Sequence, residues 1–205
     1  MVITEIFKSI QGESSFAGLP CVFVRLTGCN LRCHWCDTAY AFHGGEKMTV
    51  EQVLGRVREL GGKMVELTGG EPLLQKETVG LADSLLAEGY RVLIETSGER
   101  FVGDLARPVV KIVDVKCPGS GESGKFNLAN LAVLERKDQM KFVVLDERDY
   151  LFARGFMEFA PKIIDAVRRG KTAVEHAATF EDGLKVQIVL DAARESNKTG
   201  AMVRI

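Results

Sequence analysis

Between residues 21 and 145 the chain alternates between strand-patterned and helix-patterned segments, and that order limits the fold more than any other feature. Cys21-Val22-Phe23-Val24-Arg25-Leu26-Thr27 alternates, is rich in β-formers and runs into Gly28, so it reads as a strand. Thr49-Val50-Glu51-Gln52 has the residue types of a capping box. Val50, Val53, Leu54, Val57 and Leu60 then keep helical spacing until Gly61-Gly62 stops it. A short strand is expected over 64–67, a helix with Leu81, Ala82, Leu85 and Leu86 on one face ending at Gly89, and a strand over 91–94. Apolar strands over 109–115 and 140–145, with a helix over 127–136 between them, continue the pattern. This β-α-β-α order predicts an α/β fold, with a parallel sheet, open or a complete or partial barrel, and helices outside. Functional loops are expected after the carboxyl ends of the strands.

Composition narrows the class. With 205 residues, 46% hydrophobic, 27% charged, 21 Gly and 5 Pro, the chain is neither collagenous nor disordered, and one domain over 1–205 is expected. Twenty-seven Lys and Arg against 28 Asp and Glu give a net charge of -1, so no polybasic surface is expected and nucleic acid is a poor partner. No apolar run approaches the ~18 residues of a membrane span, and the first twenty residues lack a secretory apolar stretch. A cytoplasmic protein without membrane partners is expected.

Five cysteines is an odd number, and Cys29, Cys33 and Cys36 stand close together, which argues for metal or redox chemistry over disulfides. Gly28-Cys29-Asn30-Leu31-Arg32-Cys33-His34-Trp35-Cys36-Asp37-Thr38 follows the first clear strand and has C-x3-C-x2-C spacing. Three thiolates suit three corners of a 4Fe-4S cube and leave the fourth iron open to a small molecule. The alternative is a closed zinc site with His34 as fourth ligand, but zinc motifs usually pair C-x2-C with a distant second pair, which is missing. Leu31 and Trp35 stand where they would shield a cluster. Thr68-Gly69-Gly70-Glu71-Pro72 follows the 64–67 strand; its glycines would let backbone approach a ligand, and Glu71 would accept from an ammonium group.

The cysteine spacing and the later Gly-Gly-Glu resemble the radical S-adenosylmethionine superfamily. The opening Ile3-Thr4-Glu5-Ile6-Phe7-Lys8-Ser9-Ile10-Gln11-Gly12-Glu13-Ser14, the segment Arg25-Leu26-Thr27-Gly28-Cys29-Asn30-Leu31, the loop Glu95-Thr96-Ser97-Gly98 and Asp114-Val115-Lys116-Cys117-Pro118-Gly119-Ser120-Gly121 narrow the resemblance to the 7-carboxy-7-deazaguanine synthase family, over residues 1 to about 157. The resemblance implies a partial (β/α) barrel. It also implies ring contraction of 6-carboxy-5,6,7,8-tetrahydropterin to 7-carboxy-7-deazaguanine with loss of ammonia, in the queuosine pathway. Its cofactors would be a 4Fe-4S cluster, S-adenosyl-L-methionine and Mg2+, in a homodimer served by an electron donor such as flavodoxin.

Carried over by position, Cys29, Cys33 and Cys36 would hold the cluster, and Thr38 would bind Mg2+ through its hydroxyl. Trp35, Cys36, Asp37, Gly69, Gly70, Glu71, Asp114 and Lys116 would face S-adenosylmethionine. Ile10, Gln11, Gly12, Glu13, Arg25 and Thr68 would face the pterin. No residue is assigned a catalytic role of its own. Taken without the resemblance, Arg25 and Glu13 would more often be surface ion pairs and Thr38 a helix cap. The other readings are a different small radical enzyme, such as a glycyl-radical activating enzyme, and a non-enzymatic zinc or electron-transfer module.

Beyond about Met157 the family pattern stops. The stretch from Glu181 to Ser196 and the end from Thr199 to Ile205 look instead like the end of an NAD-dependent sugar dehydrogenase. Gly119-Ser120-Gly121-Glu122-Ser123-Gly124 also fits G-x-G-x-x-G. A dinucleotide fold is nevertheless rejected, because Cys117-Pro118 intervenes before these glycines and too little chain follows them. The atypical tail is expected to limit coupled turnover.

Overall fold

The computed structural model describes residues 1–169 and 198–199. Its strands are β1 (Val2–Ile10), β2 (Pro20–Leu26), β3 (Glu46–Lys47), β4 (Met64–Gly69), β5 (Arg91–Thr96), β6 (Val110–Asp114) and β7 (Gln139–Lys141). Its helices are α1 (Val50–Leu60), α2 (Glu77–Ala87), α3 (Asn130–Val133) and α4 (Glu147–Arg168). The chain divides into two compact units, Met1–Glu158 and Phe159–Ile205, and the strands among the described residues lie in the first. The boundary falls beside residue 157, where the family pattern ends in sequence. The dehydrogenase-like tail segments lie outside the described residues apart from Thr199.

Local chemistry sets the elements much as the sequence implies. Thr49 Oγ1 accepts from the Gln52 amide at 3.2 Å and Gln52 Oε1 accepts from the Thr49 amide at 2.8 Å, so the capping box starts α1. Gly61, at φ 66°, ends the helix, a conformation in which a side chain would be strained. Among the described residues, no helix is long and apolar enough to cross a membrane.

One sheet runs in the order β3-β1-β2-β4-β5-β6-β7. From β2 to β7 it is parallel, as the alternation requires, but β1 pairs antiparallel with both β2 and β3. The all-parallel expectation is therefore corrected at one edge. A chain returning directly from β1 to β2 needs no crossover helix, and the polar residues of β1 conceal its strand character in sequence.

Two other expectations are too long. The strand expected over 140–145 ends at Lys141: the Leu145 amide donates to Asp149 at 3.1 Å, and Val143, Val144 and Leu145 are exposed. The helix expected over 127–136 is one turn, Asn130–Val133. There the buried Asn130 side chain donates to the carbonyls of Gly98 (2.8 Å) and Arg100 (3.0 Å) and accepts from the Val102 amide (2.9 Å), anchoring a loop.

Alternation splits each central strand. Val22, Val24, Leu26, Val65, Leu67, Val92 and Ile94 pack with Val53, Leu54, Val57, Leu81 and Leu85 in the main core. On the opposite face Cys21, Met64, Leu93, Val110 and Ile112 form a smaller apolar layer. Farther along each strand that face carries Arg25, Glu66, Thr68, Glu95, Asp114 and Lys141. The sheet curls, because the loop between β1 and β2 reaches β7 at its far end. The Ser15 amide donates to Gln139 Oε1 (2.9 Å), Gln139 Nε2 donates to Ser15 Oγ (2.7 Å), and Lys141 pairs with Glu13 at 2.6 Å. These side chains close the open side of a partial barrel.

Candidate active site

A cavity of about 490 Å3 opens on the polar face at the carboxyl ends of the parallel strands. From the loop after β2 it is lined by Cys29, Cys33, Trp35, Cys36, Asp37 and Thr38, and from the end of β4 by Gly69 and Gly70. Lys116 enters after β6, and Gln11, Gly12 and Glu13 enter from the β1–β2 loop.

The cysteine loop is held by backbone on both sides. The Gly28 amide donates to the Ala41 carbonyl and the Glu71 amide to the Gly28 carbonyl, both at 2.8 Å. A Cβ on Gly70 would stand 2.6 Å from the Cys29 Cβ and closer still to the Gly28 carbonyl. The glycine pair thus permits β4 to meet the cysteine loop, in addition to any approach to a ligand. On the other side the Arg32 amide donates to Glu122 (2.6 Å) and the His34 amide to the Ser120 carbonyl (3.0 Å). Gly119 and Gly121 lie so close to Trp35 and His34 that a Cβ on either would collide. The apparent dinucleotide fingerprint is therefore a loop packed against another loop, and no helix follows Gly124 directly.

All five cysteines are free thiols; Cys29, Cys33 and Cys36 share the cavity lining, while Cys21 and Cys117 are buried outside it. Burial pushes the Cys29 and Cys33 thiols up, with Lys116 opposing at Cys33. Among the described residues, no three acidic, His or Cys side chains converge as a single ion would require. A cube takes one thiolate per iron and needs no such convergence. His34 lies outside the lining, with Nδ1 3.3 Å from the Gly119 carbonyl, which removes the fourth ligand of the zinc reading.

Two expected residues stand apart from the cavity. Ile10 is exposed and outside the lining. Glu71 is fully buried and also outside it. Its carboxylate accepts from the Leu73 amide (3.1 Å), Thr96 Oγ1 (2.7 Å), the Ser97 amide (2.8 Å) and Ser97 Oγ (2.7 Å). Four donors occupy that carboxylate, so it ties the loop after β5 to the loop after β4.

The other side chains fit polar ligands. Lys116 donates to Asp114 Oδ2 at 2.9 Å; burial opposes its charge, but Asp114 and Cys33 keep its pKa above the ordinary lysine range. Asp114 Oδ1 is buried without a hydrogen-bond partner, an acceptor that a ligand N–H or O–H would satisfy. Arg25 donates through Nε to Glu5 at 2.7 Å, leaving its terminal nitrogens for a carboxylate. Although burial works against its charge, Tyr40 and Arg25 hold the Glu5 carboxyl below the usual range. Thr38 precedes a short 3-10 turn but makes no cap bond; its hydroxyl donates to Asp37 at 2.7 Å.

Phe23, Phe42, Glu66, Glu95, Thr96, Ser97, Lys141 and Val143 also line the cavity, and sequence reasoning gave them no role. Glu66 had a visible signal, a charged residue inside the apolar strand over 64–67. Lys141 bridges Glu13, Glu95 and Asp114; these carboxylates outweigh its burial and raise its pKa.

A sequence model of the Radical SAM superfamily matches residues 23–114. The 7-carboxy-7-deazaguanine synthase of Koribacter versatilis is 57% identical over 158 residues, covering 76% of this chain and 70% of that protein. The enzyme of the same name from Thermoplasma acidophilum is 41% identical over 160 residues, 77% of each chain. The crystal structure of QueE from Escherichia coli superposes with a TM-score of 0.64 at 29% identity, covering 77% of this chain and 76% of that one.

Proposed function

The chain belongs to the 7-carboxy-7-deazaguanine synthase family of radical S-adenosylmethionine enzymes, and from that premise we propose that it contracts the ring of 6-carboxy-5,6,7,8-tetrahydropterin to 7-carboxy-7-deazaguanine, releasing ammonia, in queuosine biosynthesis. The observation that carries this reading is that three free thiols share one cavity with Gly69-Gly70 and with the polar groups of Gln11, Glu13, Arg25 and Thr68.

Cys29, Cys33 and Cys36 would hold the 4Fe-4S cluster, which together with S-adenosylmethionine would supply the radical chemistry. Around it the chain binds, orients and excludes water. Gly69, Gly70, Trp35, Asp37 and Lys116 flank S-adenosylmethionine, and Asp114 offers its unpaired oxygen. Glu71 acts one layer back, by fixing Ser97. Arg25 receives the pterin carboxylate through its fork, and Gln11, Gly12, Glu13 and Thr68 meet the ring. Ile10 supports these residues from outside the cavity. The Thr38 hydroxyl, a hard oxygen beside the Asp37 carboxylate, would hold Mg2+. The protein works in the cytoplasm as a homodimer, reduced by a donor such as flavodoxin.

The test is anaerobic reconstitution followed by incubation with the carboxytetrahydropterin, S-adenosylmethionine, Mg2+ and reductant. Formation of 7-carboxy-7-deazaguanine with stoichiometric ammonia is expected. Cleavage of S-adenosylmethionine with no deazapurine at any pterin concentration would overturn the assignment of substrate.

A further inference from the structure

We propose that Glu66 is a positioning residue for the pterin: buried in the cavity wall between Gln11 and Glu95, it fixes the orientation of the Gln11 amide and offers Glu95 a hydrogen-bond donor. The inference rests on the pterin reading above.

Alternation places Glu66 on the cavity face of β4, between Met64 and Thr68. It is 1% exposed, so an unpaired charge there would be strongly disfavoured. Gln11 Nε2 donates to Glu66 Oε2, while Gln11 Oε1 accepts from the Glu13 amide at 3.0 Å. Flipping the Gln11 amide would break both bonds, so Glu66 sets which end of Gln11 points where, and with it the backbone of Glu13.

The second link requires a proton. Glu95 stands two residues beyond Leu93, the β5 partner of Glu66, and lines the same cavity, where two neighbouring carboxylates would have no hydrogen to share. Lys141 donates directly to Glu95, whereas the donor to the buried Glu66 is the neutral Gln11 amide, so Glu66 lacks a cation partner of its own among the described residues and the proton belongs on it. The groups facing Glu66 agree. Burial first, then Glu95 from β5, push its carboxyl up to about 8, against the weaker pull of Lys141 from β7 and the neutral Gln11. Cys21 from β2 is itself pushed up to about 12 by burial and by Glu66, and stays a neutral thiol. The result is an amide of fixed orientation on the cavity wall, with the Glu13 backbone held beside it. That arrangement discriminates among the N–H and C=O groups of an aminopyrimidinone edge, because a misplaced donor or acceptor would be left unpaired.

Calorimetric binding of 6-carboxytetrahydropterin to the reconstituted full chain tests the idea. Glu66→Ala should weaken binding at least tenfold at pH 7, and Glu66→Gln, which also donates to Glu95 and accepts from Gln11, should recover most of the loss. In the parent, affinity should fall above pH 8; in Glu66→Gln that fall should disappear. Unchanged binding by Glu66→Ala overturns the proposal. So does a Glu66→Gln protein as weak as Glu66→Ala beside a parent whose affinity is flat to pH 9, because an ionised carboxylate would then be required.

A ligand-free measurement separates this from failure of the substrate assignment. The folded state retains a proton that the unfolded chain releases near pH 4.5, so the parent should lose thermal stability relative to Glu66→Gln as pH rises from about 4.5 to about 8, and no further above that. A pH-independent difference overturns the proposal. If the parent shows this pH dependence but binds no pterin, the substrate assignment fails while the neutral state of Glu66 stands.

Discussion

The two faces of β4 carry different duties on neighbouring residues. Val65 and Leu67 are fully buried among α1 and α2 side chains, whereas Glu66 and Thr68 line the cavity. Apolar packing on the first face needs only suitable volume and tolerates conservative exchange. Polar groups on the second must find partners of the right kind: Glu66 with Gln11, Lys141 with Glu95, Lys116 with Asp114. Stability should therefore respond mainly to the helix-facing residues, and ligand affinity mainly to the cavity-facing ones.

The sharpest break should come at the cavity mouth. Cys29→Ala, Cys33→Ala and Cys36→Ala should each reduce bound iron from about four per chain to near none, read by iron analysis and absorbance. Cys21→Ala and Cys117→Ala, outside the cavity, should keep it. If either of these loses the cluster, the division between the two sets of thiols fails. Next in size, Leu67→Ala should cost about 2–5 kcal/mol in denaturant unfolding, by opening a cavity in the core. Thr68→Ala should leave unfolding nearly unchanged and weaken pterin binding by roughly up to tenfold, the worth of one hydrogen bond. Reversal of that pattern would show that the faces do not divide the work. Thr38→Ala should raise the Mg2+ concentration needed for turnover while leaving iron content and Tm unchanged. A metal response identical to the parent's would return Thr38 to a purely local role. Smallest of all, Arg56→Ala removes an exposed pair with Glu59 at 2.7 Å, and should change unfolding by less than about 0.5 kcal/mol.

Much of the helix-facing architecture is legible in sequence, because periodicity and caps report local physics. The box at Thr49, the stop at Gly61 and the strand starting at Arg91 need only neighbours in the chain. Segments whose fate depends on distant partners are read less well. Val143, Val144 and Leu145 look like strand, yet Asp149 draws the Leu145 amide into the start of α4. Asn130 looks like part of a longer helix, yet its side chain serves Gly98, Arg100 and Val102. The cavity shows the same contrast. Its cysteines follow from spacing, but the occupied carboxylate of Glu71 and the Glu66–Gln11 pair arise from contacts distant in sequence, which no linear pattern displays.

The closure of the curled sheet by Lys141 on Glu13, and by Gln139 on Ser15, bears on how the cavity comes into being during synthesis. These partners are 128 and 124 residues apart. At ~5–20 residues per second, Glu13 waits roughly 6–26 s before Lys141 has even been made. Over the same interval the thiols of the loop after β2 lack the wall that Lys141 later supplies. The nascent chain thus passes through a stage in which its cysteine loop exists without a chamber, and that stage is when its thiols are most open to solvent.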